Sequence, residues 1–141
     1  APRPAVPTFS NAMDVGNPSN FVRILELFNN DLGKLRQALS ADTVSDADTV
    51  AAIRQVWEQD GYLLDPHGAV AYVALRRYQA RHSAAAGFLL ATAHPVKFPG
   101  VVEPVLGRAI ELPEVVRALQ GRAKRSVPLA VDYEALKAYL L

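Results

Sequence analysis

Leu89-Leu90-Ala91-Thr92-Ala93-His94-Pro95 is the stretch on which the reading of this chain turns. An apolar run with Gly87 before it and Pro95 after it predicts a strand over about 87–92 with no solvated face, the kind found in a parallel sheet covered by helices. In open α/β sheets, ligands collect beyond the carboxyl ends of such strands. Thr92 and His94 therefore stand where chemistry is expected. A plainer reading fits the same letters: Thr92 as a β-branched strand residue, and His94 as a loop histidine that orients the turn into the proline.

The segments before this run read as helices. Ser45 followed by Asp48 resembles a capping box, and Val50, Ile53, Val56 and Trp57 follow at helical spacing. That helix is expected to end near Asp60, with Gly61 as its stop. Asp65-Pro66 opens another, with the aspartate as N-cap and the proline at a position where a missing amide costs nothing. Ala69 to Leu75 is apolar all round and predicts a buried helix, with Arg76, Arg77 and Arg81 complementing its negative end. Earlier in the chain, Phe21, Leu25, Phe28, Leu32, Leu35 and Leu39 alternate steps of four and three. One long helix or two short ones broken near Asp31 or Gly33 would satisfy that pattern. Asn20 or Ser19 is the expected cap, and Ala1 to Pro7, with three prolines, reads as extended.

After the run, Pro99 and Pro104 argue against an uninterrupted helix between Val96 and Leu106. Pro113 is expected to start a helix through Arg117 to about Gly121, Val127 to Ala130 is a candidate edge strand, and Asp132 caps a last helix to Tyr139. The expected fold class is α/β with helix in large excess. Trp57 and the tyrosines, at helical spacing, read as core rather than as a stacking platform.

Half of the 141 residues are apolar, enough for a core in one domain or a piece of one. A net charge of +1 offers no electrostatic footprint for nucleic acid or an anionic membrane. The cluster Arg122, Lys124 and Arg125 reads as a solvated loop. With no cysteine, disulfide frameworks and thiolate metal sites are excluded. No apolar run approaches the roughly 18 residues of a membrane span, and the simplest expectation is a cytoplasmic protein.

The string ATAHPVKF over 91–98 resembles the carboxy-terminal signature of the threonine synthase family, in the longer subclass of these pyridoxal-phosphate enzymes of fold type II. Three more stretches agree with that family in order: SNAMDVGNPSNFVRILELF over 10–28, SDADTVAAIRQVWEQDGYLLDPHGAVAYVAL over 45–75, and LGRAIELPEVVRAL over 106–119. The resemblance implies an extended leading segment over 1–18 and, over 19–141, the carboxy-terminal lobe of a catalytic domain. It implies an enzyme that converts O-phospho-L-homoserine and water to L-threonine and phosphate. It also implies absences. The family's Schiff-base lysine and glycine-rich phosphate loop have no counterpart here: Lys34, Lys97, Lys124 and Lys137 lie in other contexts, and the eight glycines do not cluster. No catalytic residue is therefore expected in this chain, which alone should be inactive. Its implied partners are an amino-terminal part of the same polypeptide and the small-molecule substrate.

The same resemblance places Thr92 against the pyridine nitrogen of pyridoxal phosphate and His94 close to it. His67 and Lys97 would belong to the wall of the active site. Each has a plainer reading: His94 bonding a backbone group, Lys97 a solvated lysine, and Asp65 with His67 the start of a helix. A metal site from Asp65 and His67 is not expected, since residues two apart do not share a helical face. Met13, Asp14, Asn17 and Asn20 fall within the resemblance without a role; Asp14 reads as a turn former and Asn20 as a cap. The alternative function is a stand-alone, non-catalytic binding or regulatory module derived from such an enzyme. Apolarity separates the two, because a lobe parted from its sheet should expose an apolar face and self-associate. A hydrolase built on His94 and Asp65 lacks a serine elbow and a cysteine nucleophile.

Overall fold

The computed structural model describes residues 4–11 and 14–141, so Met13 lies outside the described residues. The alternating apolar pattern folds as two short helices, α1 (Phe21–Leu27) and α2 (Leu32–Ala38). The break falls at Asn29 and Asn30, whose φ values of 50° and 57° are left-handed, a conformation asparagine tolerates better than most residues. Asp31 caps α2 by accepting from the Lys34 amide at 3.1 Å. At α1 the expectation fails. Asn20 occupies the N-cap position, but its backbone is already helical and its side chain makes no capping bond; a cap needs extended backbone to bring its oxygen over the first-turn amides. Asp14 accepts from the Thr8 amide at 3.1 Å and the Thr8 hydroxyl at 2.7 Å, tying the leading segment into a local loop.

The helix α3 (Asp46–Asp60) begins with the capping box read from Ser45 and Asp48 and ends at Gly61, whose φ of 65° closes it. The helix α4 (Pro66–Arg81) begins at the Asp65 N-cap. Arg77 reaches back from α4, donating to the Asp48 carboxylate at 3.0 Å and the Thr43 carbonyl at 2.7 Å. Its role is thus to join two helices rather than to complement one dipole. The Asp48 carboxyl is held below the usual carboxylate range, first by its bonds from Ser45 and then by Arg77.

The core is where α3 meets α4 and α5 (Pro99–Leu106). Ala52, Ile53, Val56, Leu64 and Ala69 are buried there, with Tyr72, Val73, Val101 and Val105 packed around them. Thr49 is buried too, its hydroxyl donating to the Ser45 carbonyl at 2.9 Å, which removes the penalty of an unpaired group. The expectation of an all-round buried α4 is corrected: Ala69 is buried but residues 70–75 are half-buried, because only one side meets α3. The tyrosines are corrected as well. Tyr62 and Tyr78 are exposed, and Trp57 is half-buried at the edge of the core.

Between Val96 and Leu106 the helix is interrupted as expected, a 3-10 turn ending at Lys97 and α5 starting at Pro99, but α5 continues through Pro104. Pro99 sits in its first turn, where no amide is missed. Val102 is fully buried, so tertiary packing offsets the bond that Pro104 cannot make. The strand over 87–92 does not form: no strand occurs among the described residues, and Phe88 and Leu90 are 85% and 71% exposed. A strand is defined by neighbours that pair its backbone, and none stands beside this segment among the described residues. It is backed only on one side, where Gly87 lies so close to Leu75 of α4 that a Cβ would fall 2.7 Å from its Cδ1.

Contacts divide the chain into one unit ending at Glu111 and a second, Leu112–Leu141. The second unit holds α6 (Glu114–Arg117), followed by turns to Gly121, and α7 (Tyr133–Leu140), which Asp132 caps by accepting from the Ala135 amide at 2.8 Å. The edge strand expected at 127–130 is absent; these residues are exposed and form no strand.

Candidate functional site

Two neighbourhoods of the first unit carry the residues singled out from the sequence. The first is the start of α4. Asp65, only 3% exposed, accepts from the amides of His67 at 3.0 Å and Gly68 at 3.1 Å, and its Oδ2 lies 2.9 Å from His67 Nδ1. This is why Asp-Pro-His-Gly folds as it does: one carboxylate satisfies two first-turn amides and fixes an imidazole. His67 Nε2 is buried without a hydrogen-bond partner among the described residues. Its ring lies 5.0 Å from that of Phe98.

The second neighbourhood is the turn that follows Thr92. His94 is the N-cap of a 3-10 turn (Pro95–Lys97), and its Nδ1 accepts from the Val96 amide at 3.2 Å. In the neutral ring this leaves the proton on Nε2. Phe98 closes the turn by donating its amide to the Pro95 carbonyl at 2.9 Å and then starts α5. Thr92, His94 and Lys97 are exposed. Phe98 thus connects the neighbourhoods: its ring meets His67, and its backbone ends the turn that His94 begins.

Beside the turn is an open cleft of about 510 Å³. His94 lines it, together with Trp57, Tyr62, Leu106, Arg108 and Glu111. His67, Thr92 and Lys97 are not among its lining residues, so the four sequence candidates do not converge on one cavity. Arg108 was not legible as a functional residue. It lies with its guanidinium carbon 5.3 Å from the centroid of the Trp57 ring, within cation–π range, and no spacing rule connects residues so far apart in sequence.

Solved structures share this fold. The chain superposes on threonine synthase from Escherichia coli with a TM-score of 0.79 and 36% identity, over 99% of this chain and 32% of that one. A pyridoxal-phosphate-bound threonine synthase from Brucella melitensis gives a TM-score of 0.65 at 28% identity, over 99% and 35%. The fold is therefore that of part of a pyridoxal-phosphate enzyme of fold type II. Threonine synthase from Haemophilus influenzae is 37% identical over 140 residues, 99% of this chain and 32% of that protein. The family model described as "Threonine synthase, C-terminal" matches residues 68–140, and the chain belongs to the threonine synthase family. It spans about a third of the length of the curated relatives it matches.

Proposed function

We propose that this chain is the carboxy-terminal lobe of a cytoplasmic threonine synthase that converts O-phospho-L-homoserine and water to L-threonine and phosphate. The observation that carries the reading is the collinear match of nearly the entire chain to threonine synthases, in sequence and in fold. The exposed Phe88 and Leu90 support a lobe that meets further structure over a stand-alone module, whose surface would be polar there. No helix among the described residues is long and apolar enough to cross a membrane.

The residues present fit one wall of a pyridoxal-phosphate site. Residues 87–92 are backed by α4 at Gly87 and open on the other side, where Thr92 is exposed and accessible to a planar ring. When bound, the cofactor supplies the electron sink for bond cleavage at the amino-acid carbons. In this reading Thr92 offers a neutral hydroxyl to the ring nitrogen, orienting it without holding a full charge there. His94 stands at the edge of the same wall, its place set by the Val96 amide. His67, its ring fixed by Asp65, and Lys97 belong to the same wall on the resemblance alone, since neither lines the cleft that His94 lines. The lysine and the phosphate loop belong to the amino-terminal part of the polypeptide, so the 141-residue chain alone is inactive.

The test compares phosphate release from O-phospho-L-homoserine, with pyridoxal phosphate present, by this chain and by a polypeptide that joins it to the family's amino-terminal part. Turnover is expected from the longer protein only. Thr92→Val in it should lower kcat about 10–100-fold, the worth of one hydrogen bond to a charged or polar ring atom. Turnover by the short chain, or an unchanged kcat in the variant, would refute the assignments of inactivity and of Thr92 respectively.

A further inference from the structure

We propose that the cleft beside the His94 turn binds a small tetrahedral oxoanion of the phosphate class, held by Arg108, His94 and Tyr62. Arg108 lies over the Trp57 ring with its guanidinium carbon 5.3 Å from the centroid, a cation–π contact that uses none of its five N–H donors. Among the described residues Arg108 forms no ion pair, and Glu111, the one carboxylate on the cleft wall, leaves its charge unmatched. The bond from the Val96 amide to His94 Nδ1 leaves Nε2 of the neutral ring as a donor. Tyr62, 55% exposed, adds a phenolic donor from the loop between α3 and α4.

Three donors of different chemistry, brought from three segments of the first unit, thus line a cleft of about 510 Å³. That volume suits a small ligand. A carboxylate presents two oxygens, which the fork of Arg108 alone would occupy; a tetrahedral oxoanion has oxygens left for the imidazole and the phenol. The inference does not rest on the reaction proposed above. The probe is inorganic phosphate, no pyridoxal phosphate is added, and failure here leaves that reading standing.

Trp57 is the only tryptophan of the chain, and Arg108 lies over its ring, so the cleft carries its own reporter. Inorganic phosphate, titrated at constant ionic strength maintained with sodium chloride, should change Trp57 emission along a saturating curve. Calorimetry of the same titration gives affinity without depending on the fluorophore. By calorimetry Arg108→Gln should weaken phosphate binding about 10–100-fold, the loss of a charge-assisted pair, and Tyr62→Phe a few-fold, roughly one neutral bond. Lys124→Gln, which removes a positive charge that does not line the cleft, should leave binding unchanged. All three positions are exposed, so these substitutions spare the core. Acetate should bind more weakly than phosphate. The proposal is overturned by a response that chloride reproduces, by an Arg108→Gln variant that binds like the parent, by a Lys124→Gln loss equal to that of Arg108→Gln, or by acetate binding as tightly as phosphate.

Discussion

Asp65 is the one buried carboxylate among the described residues and takes three hydrogen bonds, and replacing it tests how the α4 start is held. Asp65→Ala removes the acceptor of two first-turn amides, at 3.0 and 3.1 Å, and of His67 Nδ1 at 2.9 Å. Loss of an N-cap costs about 1 kcal/mol. Because Asp65 is 3% exposed and His67's side chain only 24% exposed, water cannot freely replace what is lost, and the stranded imidazole adds about 1–2 kcal/mol. The expected destabilisation is therefore about 2–3 kcal/mol. Asp65→Asn separates the contributions. Asparagine keeps only one of the two acceptor oxygens, so this variant should hold one first-turn amide and lose the other carboxylate oxygen's bonds, a cost of about 1–2 kcal/mol. The assay is urea unfolding at pH 7 followed by far-ultraviolet circular dichroism, comparing midpoints at an unchanged slope. A loss of 0.5 kcal/mol or less in Asp65→Ala, or equal losses in the two variants, would refute the reasoning.

Three other outcomes follow from the packing and the charges. Ile53→Ala, at a position with no exposure, should cost about 2–5 kcal/mol in the same unfolding assay, a large share of the stability of a small core. Gly87→Ala should cost at most about 1 kcal/mol, because the added Cβ meets only the flexible end of the half-buried Leu75 side chain, which can change rotamer; since Gly87 is not among the glycines with positive φ, the effect is steric, and Leu75→Ala should relieve most of it in a double-mutant cycle. The depressed Asp48 carboxyl makes stability pH-dependent: its contribution is present above the unfolded value near 3.8 and is lost as pH falls through the lower folded value. The thermal midpoint of the parent should therefore fall more on acidification from pH 5 to pH 3 than that of Asp48→Asn, and identical profiles would sink this assignment.

Features set by neighbours in sequence were readable from the letters alone. Ser45 with Asp48, Asp65 with Pro66, Gly61 after Asp60 and Asp132 before Tyr133 each settle a helix end within one turn, and each stands where expected. Asn20 failed because its own backbone, not its type, decides whether its side chain can cap. Pro104 misled in the opposite direction: the local penalty is real, but burial of Val102 and packing of Val101 and Val105 outweigh it. The candidate site divides along the same line. His94 was legible from its apolar preface and its proline, and Asp65 with His67 from capping chemistry. Arg108 over Trp57 was not, because a contact between residues so far apart in sequence has no local signature.

The segment 87–92 shows what an apolar run does and does not encode. Its letters record a demand for burial, and half of that demand is met: Gly87 touches Leu75, while Leu89 is half-buried between the exposed Phe88 and Leu90. Alternation of this kind is what one face of a strand looks like when the other face has nothing against it. The partner that would satisfy the remaining backbone and side chains is not specified by the run itself. In the proposed enzyme that partner is the sheet of the amino-terminal part. In the proposed enzyme the same pairing that would turn 87–92 into a strand would also fix the position of Thr92.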